Sequence, residues 1–195
     1  MYKSQCRKIL VGITGASGML FLQPFLDMLQ ESDSNLVIHG ICSQSGEKVL
    51  EHEEQLQPSD LKGISKWFAI DDFAAAPSSG SSRYDAMIVL PCTMGTLGAI
   101  AAGLSQNLIH RAADVMLKEK KKLILGVRET PLNRTHLKNM LSAHDAGAMI
   151  MPTMPGFYLK PKTLEEAAKT YCWRLADQLG VEISGRKRWE EDGNV

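Results

Sequence analysis

Between Lys8 and Gly18 the chain reads KILVGITGASG, a run of small residues of the kind that wraps an anion. Ile9-Leu10-Val11 reads as a buried strand; Gly12, Gly15 and Gly18 follow, with Thr14 and Ser17 between them. Leu20, Phe21, Phe25, Leu26 and Leu29 then recur at helical spacing. A strand, a small-residue loop and a helix N-terminus together present backbone N–H groups to a phosphate or carboxylate. The glycines fall as G-x-x-G-x-x-G, which is neither the G-x-G-x-x-G of dinucleotide binding nor a P-loop. The next apolar strand, Leu36–Cys42, ends at Ser43 rather than at an acid that could hold a ribose hydroxyl, which argues against NAD.

A second loop of the same kind is Pro91-Cys92-Thr93-Met94-Gly95-Thr96, directly after the apolar strand Ala86–Leu90. Two such loops at the ends of parallel strands face one another across a switch point, where α/β folds hold their ligands. Charged groups converge on the same region. Arg128-Glu129 stands at the end of the strand Leu123–Val127 and is a better site candidate than a surface ion pair. Glu53 shares the inward stripe of its helix with Val49 and Leu50, and an acid there either pairs or has a task. Arg111 and Lys118 fall on the stripe of Leu108, and Arg174 borders the stripe of the last helix. Phe157-Tyr158 follows a proline-rich strand end and reads as a rigid wall for a planar or apolar ligand.

The elements that must position these groups alternate along the chain. After the first strand, loop and helix come the strand Leu36–Cys42 and a helix from about Ser45 to Gln55. A short strand is expected at Trp67–Ile70. Ala74 to Ser82, AAAPSSGSS, has the composition of a linker but the position of a cover over a site. The segment Leu97–Ala102 has no polar face and must be buried, in the core or against another subunit. Helices are expected at Asn107 to Lys120, Thr135 to Ala146 (capped by Asn133) and Thr163 to Leu179, where Thr163 and Glu166 form a capping box. A last strand is read at Ala148–Met151. The tail after Gly185 is charged yet holds Trp189, so it is expected to dock. The pattern is a single-domain α/β fold, doubly wound and mostly parallel, with helices on both faces. Its core runs from about residue 8 to 180, and residues 181–195 form a tail that covers the site or an interface.

Composition narrows the function. Lysines and arginines balance aspartates and glutamates at 22 each, so no global field favours nucleic acid or an anionic membrane. No apolar run is long enough to span a bilayer, and no signal-peptide segment opens the chain. Cys6, Cys42, Cys92 and Cys172 are scattered, so reduced thiols in the cytoplasm are expected. His52-Glu53 starts like a zinc motif, but Leu56 stands where the second histidine must be, so no metal is expected. The residues by themselves point to an α/β enzyme for a phosphate-bearing planar ligand.

Six separated motifs extend this: TGASG at Thr14–Gly18, SGSS at Ser79–Ser82, PCTMGTL at Pro91–Leu97, NLIHRAADVMLKE at Asn107–Glu119, RETPL at Arg128–Leu132 and MPGFY at Met154–Tyr158. Together they resemble the flavin prenyltransferases of the UbiX type, in the flavoprotein superfamily that also holds the flavin-dependent cysteine decarboxylases. The resemblance implies transfer of the dimethylallyl group of dimethylallyl monophosphate to N5 of reduced FMN, then ring closure at C6, without metal. The product, prenylated FMN, would serve a UbiD-type decarboxylase. It places FMN against Thr14, Gly15, Ala16, Ser17, Ser43, Thr93, Met94, Gly95, Thr96 and Arg128. Lys118, Tyr158 and Arg174 would hold the prenyl phosphate, with Glu53 and Glu129 lining the pocket and Trp189 and the SGSS loop closing it. Glu129 would take the C6 proton and Ser17 would sit near N5. The family pattern has two small hydroxyl residues where this chain has Thr93-Met94, which leaves Met94 a backbone role only. The resemblance also implies a homo-oligomer, a dodecamer with sites between subunits. The alternatives are a flavin-dependent decarboxylase of a cysteine-containing substrate and a non-catalytic FMN-binding subunit of a decarboxylase complex. Pro91–Thr96 lacks the asparagine that marks the former.

Overall fold

Buried parallel strands carry apolar side chains on both faces, and β1 (Lys8–Ile13) does so from its second residue onward. In the computed structural model, which describes residues 8–33 and 35–186, six strands form one sheet in which every pairing is parallel. The strands are β1, β2 (Val37–Cys42), β3 (Lys66–Phe68), β4 (Ala86–Cys92), β5 (Lys122–Val127) and β6 (Met149–Ile150). Their order is β3-β2-β1-β4-β5-β6, so the chain reverses direction across the sheet between β1 and β4. That is the switch point where a doubly wound sheet opens a crevice.

Alternation along the strands separates two cores. Ile9, Val11 and Ile13 of β1, with Ile88 and Leu90 of β4, pack under α1 (Leu22–Ser32) and α6 (Leu164–Leu179). Leu10, Met87 and Val89 point the other way, under α3 (Met94–Ala101) and α4 (Leu108–Lys118). Ala143 of α5 (Arg134–Asp145) joins that second core. Gly12 is the place on β1 where α4 comes closest, since a Cβ there would lie 3.3 Å from Ile109 Cγ2. The apolar segment around Leu97 and Ile100 is buried within this chain's own second core.

Local chemistry sets the helix ends. Ser43, Thr93, Asn107, Asn133 and Thr163 each accept a backbone N–H from the first turn of α2 (Gln44–Glu54), α3, α4, α5 and α6 respectively. The capping box expected at α6 is only half made: Thr163 accepts from Glu166 N, but the Glu166 carboxylate takes the Lys162 amide. The strand expected at Trp67–Ile70 is shifted and shorter, at Lys66–Phe68, and Gly40 of β2 leaves room for the Trp67 ring.

The segment Ala74–Ser82 is folded rather than a linker. It makes two short 3-10 turns, Ala76–Ser78 and Gly80–Ser82, buries Pro77 and packs on α4. Arg111 Nε donates to Ser78 O at 3.1 Å, and its guanidinium pairs with Asp114 at 2.7 Å. Arg111 therefore holds this loop and does not face the crevice. Gly80 lets Glu119 approach, since a Cβ would lie 2.6 Å from the Glu119 carboxyl carbon.

His110, in the first turn of α4, is buried and its Nδ1 has no hydrogen-bond partner among the described residues. Burial pushes its pKa down, and burial with the charges of Lys8 and Lys66 does the same to half-buried His39. The unfolded chain thus binds these protons more readily than the folded one, so stability present above the ordinary histidine pKa is lost as pH falls below it. The melting temperature should fall between pH 7.5 and 5.5, and His110→Gln should flatten that slope. A pH series of thermal melts in which the variant keeps the full slope would exclude His110 as its source.

Candidate functional site

Five strand ends meet the crevice, and hydrogen bonds tie them in sequence across the sheet. Ser43 N donates to Ile13 O at 2.9 Å, Thr14 N to Pro91 O at 3.3 Å, Arg128 N to Cys92 O at 3.1 Å and Thr153 N to Val127 O at 3.1 Å. Thr14 adds the one side-chain bridge in this series. Its Oγ1 donates to Pro91 O at 2.7 Å and accepts from Thr93 N at 2.9 Å. The first and second small-residue loops are therefore held side by side.

The first loop carries an acid of its own. Glu53 Oε2, from the last turn of α2, accepts the amides of Gly18 and Met19, each at 2.9 Å. Burial pushes the Glu53 carboxyl up, but the Ser17 hydroxyl, the Met19 and Gly18 amides and the charge of Arg128 outweigh it. The net effect holds Glu53 below the usual carboxylate range. Glu53 thus faces inward as expected, but its carboxylate is engaged with the loop. The helix N-terminus after Gly18 is already occupied by a protein anion, which moves the place for a ligand anion toward the first turns of α2 and α3.

Those two turns are built from hydroxyls. Ser43 Oγ accepts Gly46 N at 3.0 Å and lies 3.1 Å from Ser45 Oγ. Gly15 is required beside them, because a Cβ would come 2.5 Å from Ser45 Cβ. Thr93 Oγ1 accepts Thr96 N at 3.1 Å and donates to Thr96 Oγ1 at 3.0 Å. Ala16 is buried, and the Met94 side chain is packed in the second core, so Met94 offers its backbone alone. Gly95 is exposed, and a Cβ there would meet nothing closer than Thr93 Oγ1 at 3.9 Å. Hydroxyls, unhindered helix N-termini and the Arg128 cation fit a flavin mononucleotide: they suit an anion and leave open space beside the second loop.

Arg128 and Glu129 make no ion pair with each other, in line with their reading as site candidates rather than a surface pair. Adjacent residues diverge, so the charge of Arg128 acts on Glu53, while Glu129 Oε1 accepts the amide of Thr130 at 3.0 Å. Both are exposed at the end of β5. Tyr158 lies in the turn Phe157–Leu159, anchored by Gly156 N donating to Thr170 Oγ1 at 2.8 Å on α6. Arg174 is four residues beyond Thr170, hence on the same side of α6, and it pairs with Asp177 at 2.9 Å. Asp177 also takes Arg186, a partner that sequence reasoning missed. Lys118 ends α4 at the opposite edge of the sheet, four residues before β5 begins, and pairs there with Glu119 at 2.5 Å. The SGSS loop packs against Glu119 at that same edge, away from the crevice of its own chain. Trp189 lies outside the described residues. Among the described residues no group of three or more His, Cys, Asp or Glu could hold a metal ion, and no helix is long and apolar enough to cross a membrane.

An all-parallel sheet with paired hydroxyl loops at its switch point is the frame of a flavin-binding protein, and the chain belongs to the Flavoprotein family, whose model matches residues 2–169. Within it the chain belongs to the UbiX-type flavin prenyltransferases. It is 41% identical to flavin prenyltransferase UbiX of Methanocaldococcus jannaschii over 184 residues, 93% of this chain and 98% of the relative. It is 40% identical to the mitochondrial flavin prenyltransferase PAD1 of Saccharomyces cerevisiae, covering 94% of this chain and 76% of that protein. The crystal structure of AnUbiX (PadA1) in complex with FMN and dimethylallyl pyrophosphate matches with a TM-score of 0.91 and 39% identity. That match covers 95% of this chain and 98% of the other.

Removing the Glu53 carboxylate strands two backbone donors and one hydroxyl. Glu53→Ala should cost about 1–3 kcal/mol of stability, and Glu53→Gln, which keeps an acceptor, should recover part of it. Chemical denaturation of the three proteins measures this; equal stability of all three would show that the amides find other partners.

Proposed function

We propose that this chain joins the dimethylallyl group of dimethylallyl monophosphate to reduced FMN, at N5 and then at C6, to make prenylated FMN for a UbiD-type decarboxylase. One observation carries the reading: the match to the AnUbiX complex spans 95% of the chain at 39% identity. Reduced FMN would supply the nucleophilic nitrogen and the ring carbon that the prenyl group joins.

The chain's own residues would do the rest. Ser17, Ser43, the first turn of α3 and Arg128 would hold the flavin, and Glu53 would keep Ser17 in place. Tyr158 and Arg174 would bind the phosphate leaving group, because charge builds on its bridging oxygen as the allylic C–O bond breaks. Glu129 would accept the proton lost from C6. Lys118 and the SGSS loop lie at the far edge of the sheet, so they would serve the site of a neighbouring subunit, in an assembly such as the dodecamer of the Escherichia coli UbiX-like relative. Exposed Leu137 and Leu141 on α5, with Met154 and Phe157 near the β6 edge, are apolar surface suited to such contacts.

The decarboxylase alternative rests on weaker likeness. A phosphopantothenoylcysteine decarboxylase variant matches with a TM-score of 0.62 at 16% identity, which is a likeness of fold alone. The segment Met151–Tyr158 has neither asparagine nor tryptophan, both of which mark that group. A non-catalytic FMN-binding subunit would have no need for Tyr158, Arg174 and Glu129 together.

Anaerobic incubation of the protein with reduced FMN and dimethylallyl monophosphate should add one five-carbon unit to the flavin, read by mass spectrometry. FMN that stays unmodified with the monophosphate and with the pyrophosphate would overturn the reading. Arg174→Ala should retain FMN while turnover drops roughly 100-fold or more. Glu129→Gln should stall ring closure; full product from that variant would remove Glu129 as the proton acceptor.

A further inference from the structure

We propose that Thr14 is a positioning residue whose hydroxyl sets the gap between the two flavin-facing loops and makes no hydrogen bond to the flavin. The proposal rests on the functional reading above and changes the role of a residue that the family resemblance sets against FMN. A threonine hydroxyl has one proton, and that of Thr14 goes to Pro91 O at 2.7 Å. The same oxygen accepts Thr93 N at 2.9 Å. The residue is 2% exposed, so little of it is open to any ligand.

What Thr14 holds is the start of α3. Thr93 is the cap of that helix, and its own proton goes to Thr96 Oγ1 at 3.0 Å. The hydroxyl protons of Thr14 and Thr93 are therefore both spent inside the protein, and the second loop offers a ligand its first-turn backbone. The position of that backbone relative to Gly15 and Ser17 is held by the Thr14 hydroxyl through Thr93 N and Pro91 O, beside the single longer backbone bond from Thr14 N to Pro91 O at 3.3 Å. The neighbouring Cys92 carbonyl carries the Arg128 amide, so the same clasp fixes where Arg128 leaves β5. A valine at position 14 keeps the shape but removes both side-chain bonds, whereas a serine keeps both.

The test compares wild type, Thr14→Val and Thr14→Ser by hydrogen exchange, by FMN titration and by donor kinetics at saturating FMN. In the ligand-free protein the Thr93 amide should exchange slowly in wild type and Thr14→Ser, and at least about tenfold faster in Thr14→Val. FMN affinity should weaken about tenfold in Thr14→Val and be restored in Thr14→Ser. The KM for dimethylallyl monophosphate should stay unchanged, which general unfolding would not spare. Wild-type affinity in Thr14→Val, or equal loss in both variants, would overturn the proposal. So would fast exchange at Thr93 in wild type, a result that needs no variant to fold. A wild-type protein with a protected Thr93 amide that binds no FMN would overturn the functional reading while leaving the clasp in place.

Discussion

The crevice depends on a hydrogen-bonded series that runs from β2 to β6 across the strand ends, and Thr14 is its only side-chain link. Backbone bonds at Ser43, Arg128 and Thr153 continue the sheet for one more step. Between β1 and β4 the Thr14 amide still reaches Pro91 O, at a longer 3.3 Å, and beyond it the sheet opens, because helices leave those two strands on opposite faces. An open switch point exposes backbone groups that no ladder can satisfy. The buried Thr14 hydroxyl satisfies Thr93 N and gives Pro91 O a second donor beside the Thr14 amide, while keeping the two loops apart. The opening and its support are thus the same feature.

Glu53 answers a second problem at the same place. The turn Met19–Phe21 and the helix α1 after it concentrate unpaired amides and positive potential just beyond Gly18. Left empty, that terminus would compete with the rest of the crevice for the ligand's phosphate. A carboxylate supplied from α2 neutralises it and ties Ser17 into the same cluster. Arg128, at the end of β5, is near enough for its charge to help keep Glu53 ionised. The charge of Arg128 thus acts on the first loop's acid, while its neighbour Glu129 takes the Thr130 amide.

The fold was legible where burial dictates composition. Strands packed on both faces read as apolar runs, and β4, buried along its whole length, could be located by that alone. Helix caps at Asn133 and Thr163 follow from residue type. The site was legible at the level of which loops face which, but not at the level of who bonds to whom. Spacing showed that Glu53 points inward, yet its partner amide at Met19 lies 34 residues earlier and carries no side-chain signature. Thr14 has the same residue type whether it touches a ligand or a neighbouring loop. The AAAPSSGSS segment has a linker's composition, and only the Arg111 bond to Ser78 O shows that it is anchored. Asp177, which gathers Arg174 and Arg186, had no pattern to announce it.

Distance decides what one chain can do alone. β5 has six residues, so its two ends are roughly 16 Å apart at the rise of a parallel strand. Arg128 stands at one end and Lys118 lies four residues before the other. A lysine side chain spans only about 6 Å, so Lys118 cannot reach the crevice of its own subunit whatever its rotamer. The SGSS loop lies against Glu119 at the same distant edge, and it too is out of range. If these two elements serve the prenyl phosphate, as proposed, the far edge of one sheet must abut the strand ends of another. The site would then be complete only in the assembly. Lys118 is already paired with Glu119, so a phosphate from the neighbouring site would have to draw it from that carboxylate. An exposed pair of this kind contributes little, and a dianionic phosphate in a confined site can outcompete it.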